Sequence, residues 1–167
     1  MGTSTGDSSA VQTSGLNCFI YEDIPWYDSW LKLILGGILA FTLVLGITLL
    51  SVDLAGAWIV FGVTAFDALL FHAVLPRRYQ IFQNRVRIVL GCPFAVNIPL
   101  STIKEARSAS GSKAFAYWGI RFATSSRSVV EIIRHKGWNI VISPANKDLF
   151  LEQLAQALST MSEKRAD

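Results

Sequence analysis

Two long apolar runs separated by three residues constrain this chain more than any other feature. The first, Leu33 to Leu50, contains no charged residue, and the second, Leu54 to Leu75, contains only Asp67 and His72. The intervening Ser51-Val52-Asp53 has room only for a tight turn. Crossing ~30 Å of hydrocarbon takes about 20 apolar residues as helix, and both runs meet that need. Trp30 and Trp58, near run ends, are suited to the membrane–water interface. Neither run has the polar face that a helix of a soluble protein usually carries, which argues against a buried soluble pair. A cleaved signal peptide is not expected either: the run starts late, no basic segment precedes it, and a second run follows at once. A transmembrane helical hairpin over residues 31–75 is the expectation.

The formal charge of +3 conceals an asymmetry. Residues 1–75 carry one basic side chain, Lys32, against six acidic ones, a net of −5. Residues 76–167 carry 14 basic and six acidic side chains, a net of +8. The excess begins at Pro76-Arg77-Arg78, directly after the second run, whereas the connecting turn has no Lys or Arg. Positive flanks remain cytoplasmic. The chain is therefore expected to be an integral plasma-membrane protein with both termini and the basic domain on the cytoplasmic side. Cys18 and Cys92 would then face a reducing compartment, so no disulfide is expected, and their spacing makes no metal motif.

Residues 1–16, rich in Ser, Thr and Gly, read as a disordered tail. In residues 17–30, Phe19, Ile20, Tyr21, Ile24, Trp26, Tyr27 and Trp30 are interspersed with acids. This aromatic segment either lies along the membrane interface or docks on the basic domain; an interface anchor leading into the first helix is the favoured reading.

With the turn centred near Val52, Asp67 falls level with Gly36 and Gly37. Gly36 and Ala40 form a small-xxx-small spacing that permits close helix approach. A carboxylate at membrane depth costs roughly 2.5–3.5 kcal/mol on insertion scales. Asp67 is thus a candidate contact to a partner subunit or a proton or ion site. The plainer alternative is a protonated side chain, or one bonded to a backbone carbonyl near Gly36 and Gly37. His72 is expected to snorkel to the inner interface.

From residue 77 the apolar period changes from helical to two. Tyr79–Phe82, Arg85–Leu90, the alternating Phe94, Val96 and Ile98, an irregular or edge strand over Ser101–Arg107, Trp118–Phe122, Val129–Arg134 and Trp138–Ile142 read as short strands. Turns at Gly91-Cys92-Pro93 and His135-Lys136-Gly137 and a flexible loop over Ser108–Lys113 separate them. Six or seven such strands imply a small antiparallel sandwich or barrel. A final helix is expected to start at a Ser143 cap with Pro144 in its first turn. Phe150, Leu151, Leu154, Ala157, Leu158 and Met161 share one face of it, which should cover an open end of the barrel. The fold class is α+β.

The segments Ile98-Pro99-Leu100-Ser101-Thr102-Ile103 and Ile140-Val141-Ile142-Ser143-Pro144, the latter running into Phe150-Leu151-Glu152-Gln153-Leu154, resemble those of bacterial pleckstrin-homology-like (PH-like) domains. Such domains often follow a pair of membrane helices. The resemblance covers residues 77–160, leaves 161–167 as a tail, and implies no catalytic residues and no cofactor. The inositide-binding signature of eukaryotic relatives needs a basic run between the first two strands. Here that loop is Gln83-Asn84.

The soluble part shows no Gly-rich phosphate loop, no His-x-x-x-His, no Gly-x-Ser-x-Gly and no clustered carboxylates. His135, between Arg134 and Lys136, reads as a solvated turn residue. The basic side chains are the most function-like feature. Arg77, Arg78, Arg85 and Arg87 are candidate contacts to the membrane surface, each contributing roughly 1 kcal/mol beside an anionic leaflet. No nucleic-acid motif accompanies them. The favoured function is a non-enzymatic, membrane-anchored adaptor, assembly factor or accessory subunit that holds a membrane-protein partner or a second copy of itself. An anionic-lipid sensor and a small enzyme or transporter subunit using Asp67 are the alternatives. Membrane lipids are an expected partner in each case.

Overall fold

The computed structural model describes residues 19–109 and 119–166. The expectations for residues 1–18, for most of the Ser108–Lys113 loop and for Trp118 lie outside these residues. Element order is β1 (Phe19–Asp23), α1 (Ser29–Leu49), α2 (Leu54–Val74), β2 (Arg78–Phe82), β3 (Arg85–Val89), β4 (Ala95–Pro99), a 3-10 turn (Leu100–Thr102), β5 (Ile103–Ser108), β6 (Ile120–Phe122), β7 (Val130–Arg134), β8 (Ile140–Ile142) and α3 (Lys147–Ala166). The architecture is α+β.

Helices α1 and α2 are 21 residues each, about 31 Å at 1.5 Å per residue. Both are long and apolar enough to cross a membrane, with mean hydropathy 2.1 and 1.9. Leu33, Phe41, Trp58 and Leu69 are all at least two-thirds exposed, unlike the side chains of a soluble core helix. In the turn, the Asp53 carboxylate accepts from the Ala55 N–H at 3.1 Å and caps α2. The helices meet closely at Gly46, where a Cβ would stand 2.6 Å from Phe61 Cε1. Gly46 and Ala57 are the fully buried residues of this pair.

The β domain has two four-stranded sheets, ordered β1-β2-β3-β4 and β5-β7-β8-β6. The first is antiparallel throughout. The second is mixed, because β6 runs parallel to β8, where pure antiparallel pairing was expected. Alternation places Tyr79, Ile81, Val86, Ile88 and Ile98 inward, against Val130, Ile132, Ile140 and Ile142 of the second sheet and Phe150, Leu154 and Ala157 of α3. Leu151, Leu158 and Met161 flank this core, so the apolar face of α3 closes the domain as the i, i+3, i+4 pattern requires. Tyr79 ties the layers together: its hydroxyl donates to the Phe122 carbonyl at 2.9 Å, and its ring packs edge-on to Phe150. Burial pushes its phenol pKa up.

Three local readings are corrected. Helix α3 begins at Lys147 and not at Pro144, and Asn146 Oδ1 accepts from Leu149 N as its cap. Ser143 and Pro144 instead continue as extended chain, and Pro144 bridges to Pro25. The helix also runs on to Ala166, through most of the expected tail. Phe94 lies in the β3–β4 turn and is exposed, outside the inward row of Val96 and Ile98.

The largest correction concerns residues 17–30. Phe19–Asp23 is the edge strand β1, paired antiparallel with β2. The membrane hairpin is thus the long connection of a β-hairpin whose two strands lie side by side. Pairing with β2 supplies the backbone hydrogen bonds, and Ile20 and Tyr21 pack against the core. Ile24, Trp26 and Trp30 stay exposed beside the start of α1.

Candidate functional site

The candidate site is the outer face of the first sheet. Strand parity puts Arg78, Gln80 and Phe82 of β2 on the face opposite the core, with Arg85 and Arg87 of β3 beside them. Glu22, Gln80, Arg87 and Asn97 stand in register across the four strands. Glu22 accepts from Arg78 Nη1 at 3.0 Å and from Gln80 Nε2 at 2.7 Å. The Arg85 guanidinium lies 5.2 Å from the centroid of the Phe82 ring, within cation–π range. Nε of Arg87 is buried and meets no hydrogen-bond acceptor among the described residues.

The four arginines do not stand in one row of the sheet. Arg77 follows α2 closely, and its Nη2 is 2.9 Å from Nδ1 of His72. Arg78 opens β2, one residue later. Arg87 is paired with Gln80, two residues further along the strand, and Arg85 stands two beyond that. At ~3.3 Å per residue these rows are about 7 and 13 Å from the Arg78 row, away from the helix ends. The Debye length at physiological ionic strength is about 8 Å. Along the strands the four candidates thus divide into a helix-proximal pair, Arg77 and Arg78, and a distal pair, Arg85 and Arg87. Arg78 is also compensated by Glu22, from a strand that the sequence pattern did not reveal.

The intramembrane candidates are separated too. Gly36 and Gly37 are exposed, and a Cβ added at either would meet no atom within 4 Å. They lie outside the close contact of α1 with α2, which falls at Gly46. Asp67 is half-buried, one turn from the half-buried Thr64 and Phe71 on the side of α2 that includes buried Ala57.

At the helix-proximal end lies a polar cluster that sequence reading missed. Asp28, directly before α1, is 8% exposed. Its carboxylate accepts from Ser125 Oγ at 2.7 Å, Ser126 N at 2.8 Å, Ser126 Oγ at 2.9 Å and Trp30 Nε1 at 3.2 Å. The Ser125 bond foremost, helped by those from Ser126 and Trp30 and opposed by burial, lowers its pKa to about 2. Backbone bonds from Trp26 N to Ser143 O and from Asp28 N to Thr124 O, and one from Tyr27 Oη to the Pro76 carbonyl, complete a clamp between hairpin and domain. Burial raises the Tyr27 phenol, and nearby Arg77 partly offsets this.

Two sheets closed by a C-terminal helix, with Ile98–Ile103 joining the first sheet to the second and Ile140–Pro144 leading from β8 towards α3, have a counterpart among known families. Residues 77–157 match the family model described as Bacterial PH domain. The chain carries a bacterial PH domain. No curated protein and no solved structure matches the chain. The structure adds β1 to the matched PH region, from the far side of the membrane hairpin. Among the described residues, no three His, Cys, Asp or Glu side chains gather as a metal site requires. At the far end of the PH domain, an open cleft of about 430 Å³ is lined by Leu100, Ile103, His135, Leu158 and Met161, among others. It presents no paired acid and base.

Proposed function

We propose that this chain is a membrane-anchored, non-catalytic PH adaptor, an assembly factor or accessory subunit that holds a protein partner at the cytoplasmic membrane face. The positive flank at Arg77 and Arg78 supports an orientation with the PH domain and both termini inside. The partner contact is the outer sheet face at Arg85 and Arg87, and its natural ligand is an acidic segment of the partner. The observation that carries this reading is the position of those two arginines along β3, in rows about 7 and 13 Å from the Arg78 row at ~3.3 Å per residue. Charge there is poorly used on a leaflet and well used on a protein. The buried Nε of Arg87, without an acceptor among the described residues, supports the same reading, because a buried donor without an acceptor is costly until one is supplied.

The test is purification of the full-length chain from its native membrane in mild detergent. A stoichiometric protein partner should be recovered, released by salt, and absent from the Arg85→Glu/Arg87→Glu variant while its melting temperature is retained. A chain that elutes alone in several detergents, or a double variant that keeps its partner, overturns the proposal. Anionic lipid is the second reading, and Arg77 and Arg78 beside the end of α2 favour it for that pair alone.

A further inference from the structure

The β3–β4 turn is held against the membrane hairpin. Gly91 is buried against the last turn of α2: a Cβ there would stand 1.7 Å from the His72 carbonyl oxygen and 2.9 Å from Ala73 Cα. Only glycine allows this approach, because the obstacle is backbone. The turn is internally bonded, from Phe94 N to Gly91 O at 2.8 Å and from Leu90 N to Phe94 O at 3.1 Å. Its tip, Cys92-Pro93-Phe94, is exposed throughout, and Phe94 is 55% exposed. On the other side, Ile24 and Trp26 before α1 and Trp30 in its first turn are exposed, at 62%, 50% and 43%. The Pro25–Pro144 bridge and the Trp26–Ser143 hydrogen bond hold that strip to the PH domain.

We infer that the Cys92-Pro93-Phe94 tip is a third membrane contact, seated with Ile24, Trp26 and Trp30 in the headgroup–acyl boundary of the leaflet from which the hairpin emerges. The occupant of this apolar collar is the bilayer itself. The collar flanks the ends of α1 and α2, so any bilayer that holds the hairpin meets the tip at the depth where aromatic side chains are favoured. Residues 90–94 contain no charged side chain that would oppose entry. Three contacts, two helices and a turn, fix the tilt of the PH domain, and so which way its Arg85/Arg87 face points. The inference rests on the hairpin spanning the membrane and not on the adaptor proposal.

Cys92 is exposed and provides the probe. The full chain carrying Cys18→Ser is labelled with a nitroxide at Cys92 and reconstituted in vesicles of phosphatidylcholine and phosphatidylglycerol. Collision with oxygen and with a water-soluble nickel chelate reports depth. Two references in a Cys18→Ser/Cys92→Ser background flank it: Phe41→Cys in mid-α1 and Trp138→Cys at the exposed β7–β8 turn. The ratio of oxygen to nickel collisions at Cys92 should be severalfold above that at residue 138 and below that at residue 41. A ratio equal to that at residue 138 overturns the inference, as does low collision with both reagents, the mark of a covering protein. A water-exposed residue 41 instead overturns the membrane-spanning reading on which the inference rests.

Discussion

Asp28 and Ser125 are 97 residues apart in sequence and share a 2.7 Å hydrogen bond at the junction of membrane hairpin and PH domain. The bond makes the domain an extension of α1 rather than a tethered module. Five residues separate β1 from α1 and three separate α2 from β2. The shorter link, through Arg77 N to Val89 O, and the longer one, through Asp28, are both tied down.

Removing the acceptor should loosen the junction. Asp28→Ala leaves the Ser125 and Ser126 donors without their carboxylate and is expected to cost about 3 kcal/mol, at 1.5–3 kcal/mol per hydrogen bond to a charged group with partial compensation by water. Ser125→Ala should cost less, because both Ser126 bonds remain. Urea titration of the full-length protein in detergent, followed by tryptophan fluorescence, measures both, and equal stability of Asp28→Ala and the parent contradicts the clamp.

The same carboxylate sets an acid limit. Its folded pKa of about 2 lies below the ordinary value of 3.8. Its contribution is therefore complete above about pH 4 and is lost as pH falls through the folded value. The stability difference between the parent and Asp28→Asn should hold between pH 6 and 5 and shrink between about pH 4 and 2. Urea midpoints at each pH provide the check; a gap that stays constant down to pH 2 rules out the assignment.

Within the hairpin, the glycines should respond in opposite ways. Gly46→Leu drives a side chain into Phe61 and should cost about 2 kcal/mol by overpacking, whereas Gly36→Leu meets open space and should leave the melting temperature unchanged. Thermal denaturation in detergent distinguishes them. Reversed sensitivities would relocate the helix seam to Gly36.

Much of the fold was legible because it rests on periodicity. The charge-free Leu33–Leu50 run reports a helix long enough to span a membrane, while the alternation at Val86 and Ile88 and the spacing of Phe150, Leu154 and Ala157 report which face is buried, and the structure buries those β-domain and α3 faces. β1 was not legible. Phe19–Asp23 carries aromatics and acids that suit an interface as well as an edge strand, and its partner β2 lies beyond 54 residues of membrane hairpin and linker. Local pattern does not encode pairing at that range. The start of α3 was misread for a related reason: Ser143-Pro144 is a good local cap, but tertiary pairing with Pro25 holds it extended.

The candidate site divides in the same way. That Arg85 and Arg87 share the outer face of one strand follows from a period of two. That they stand away from Arg77 and Arg78, and that Glu22 compensates Arg78, follows from strand direction and β1 pairing.

Two membrane-length helices, a basic β domain and a covering helix are written into the chain locally, because hydrophobic period and charge asymmetry are properties of short windows. The insertion of the hairpin between two paired strands is not. Nor is the choice of Gly46 over Gly36 as the point of helix approach, or the role of Asp28 in locking anchor to domain. These arise only on folding, from contacts between residues far apart in sequence, which no window along the chain contains.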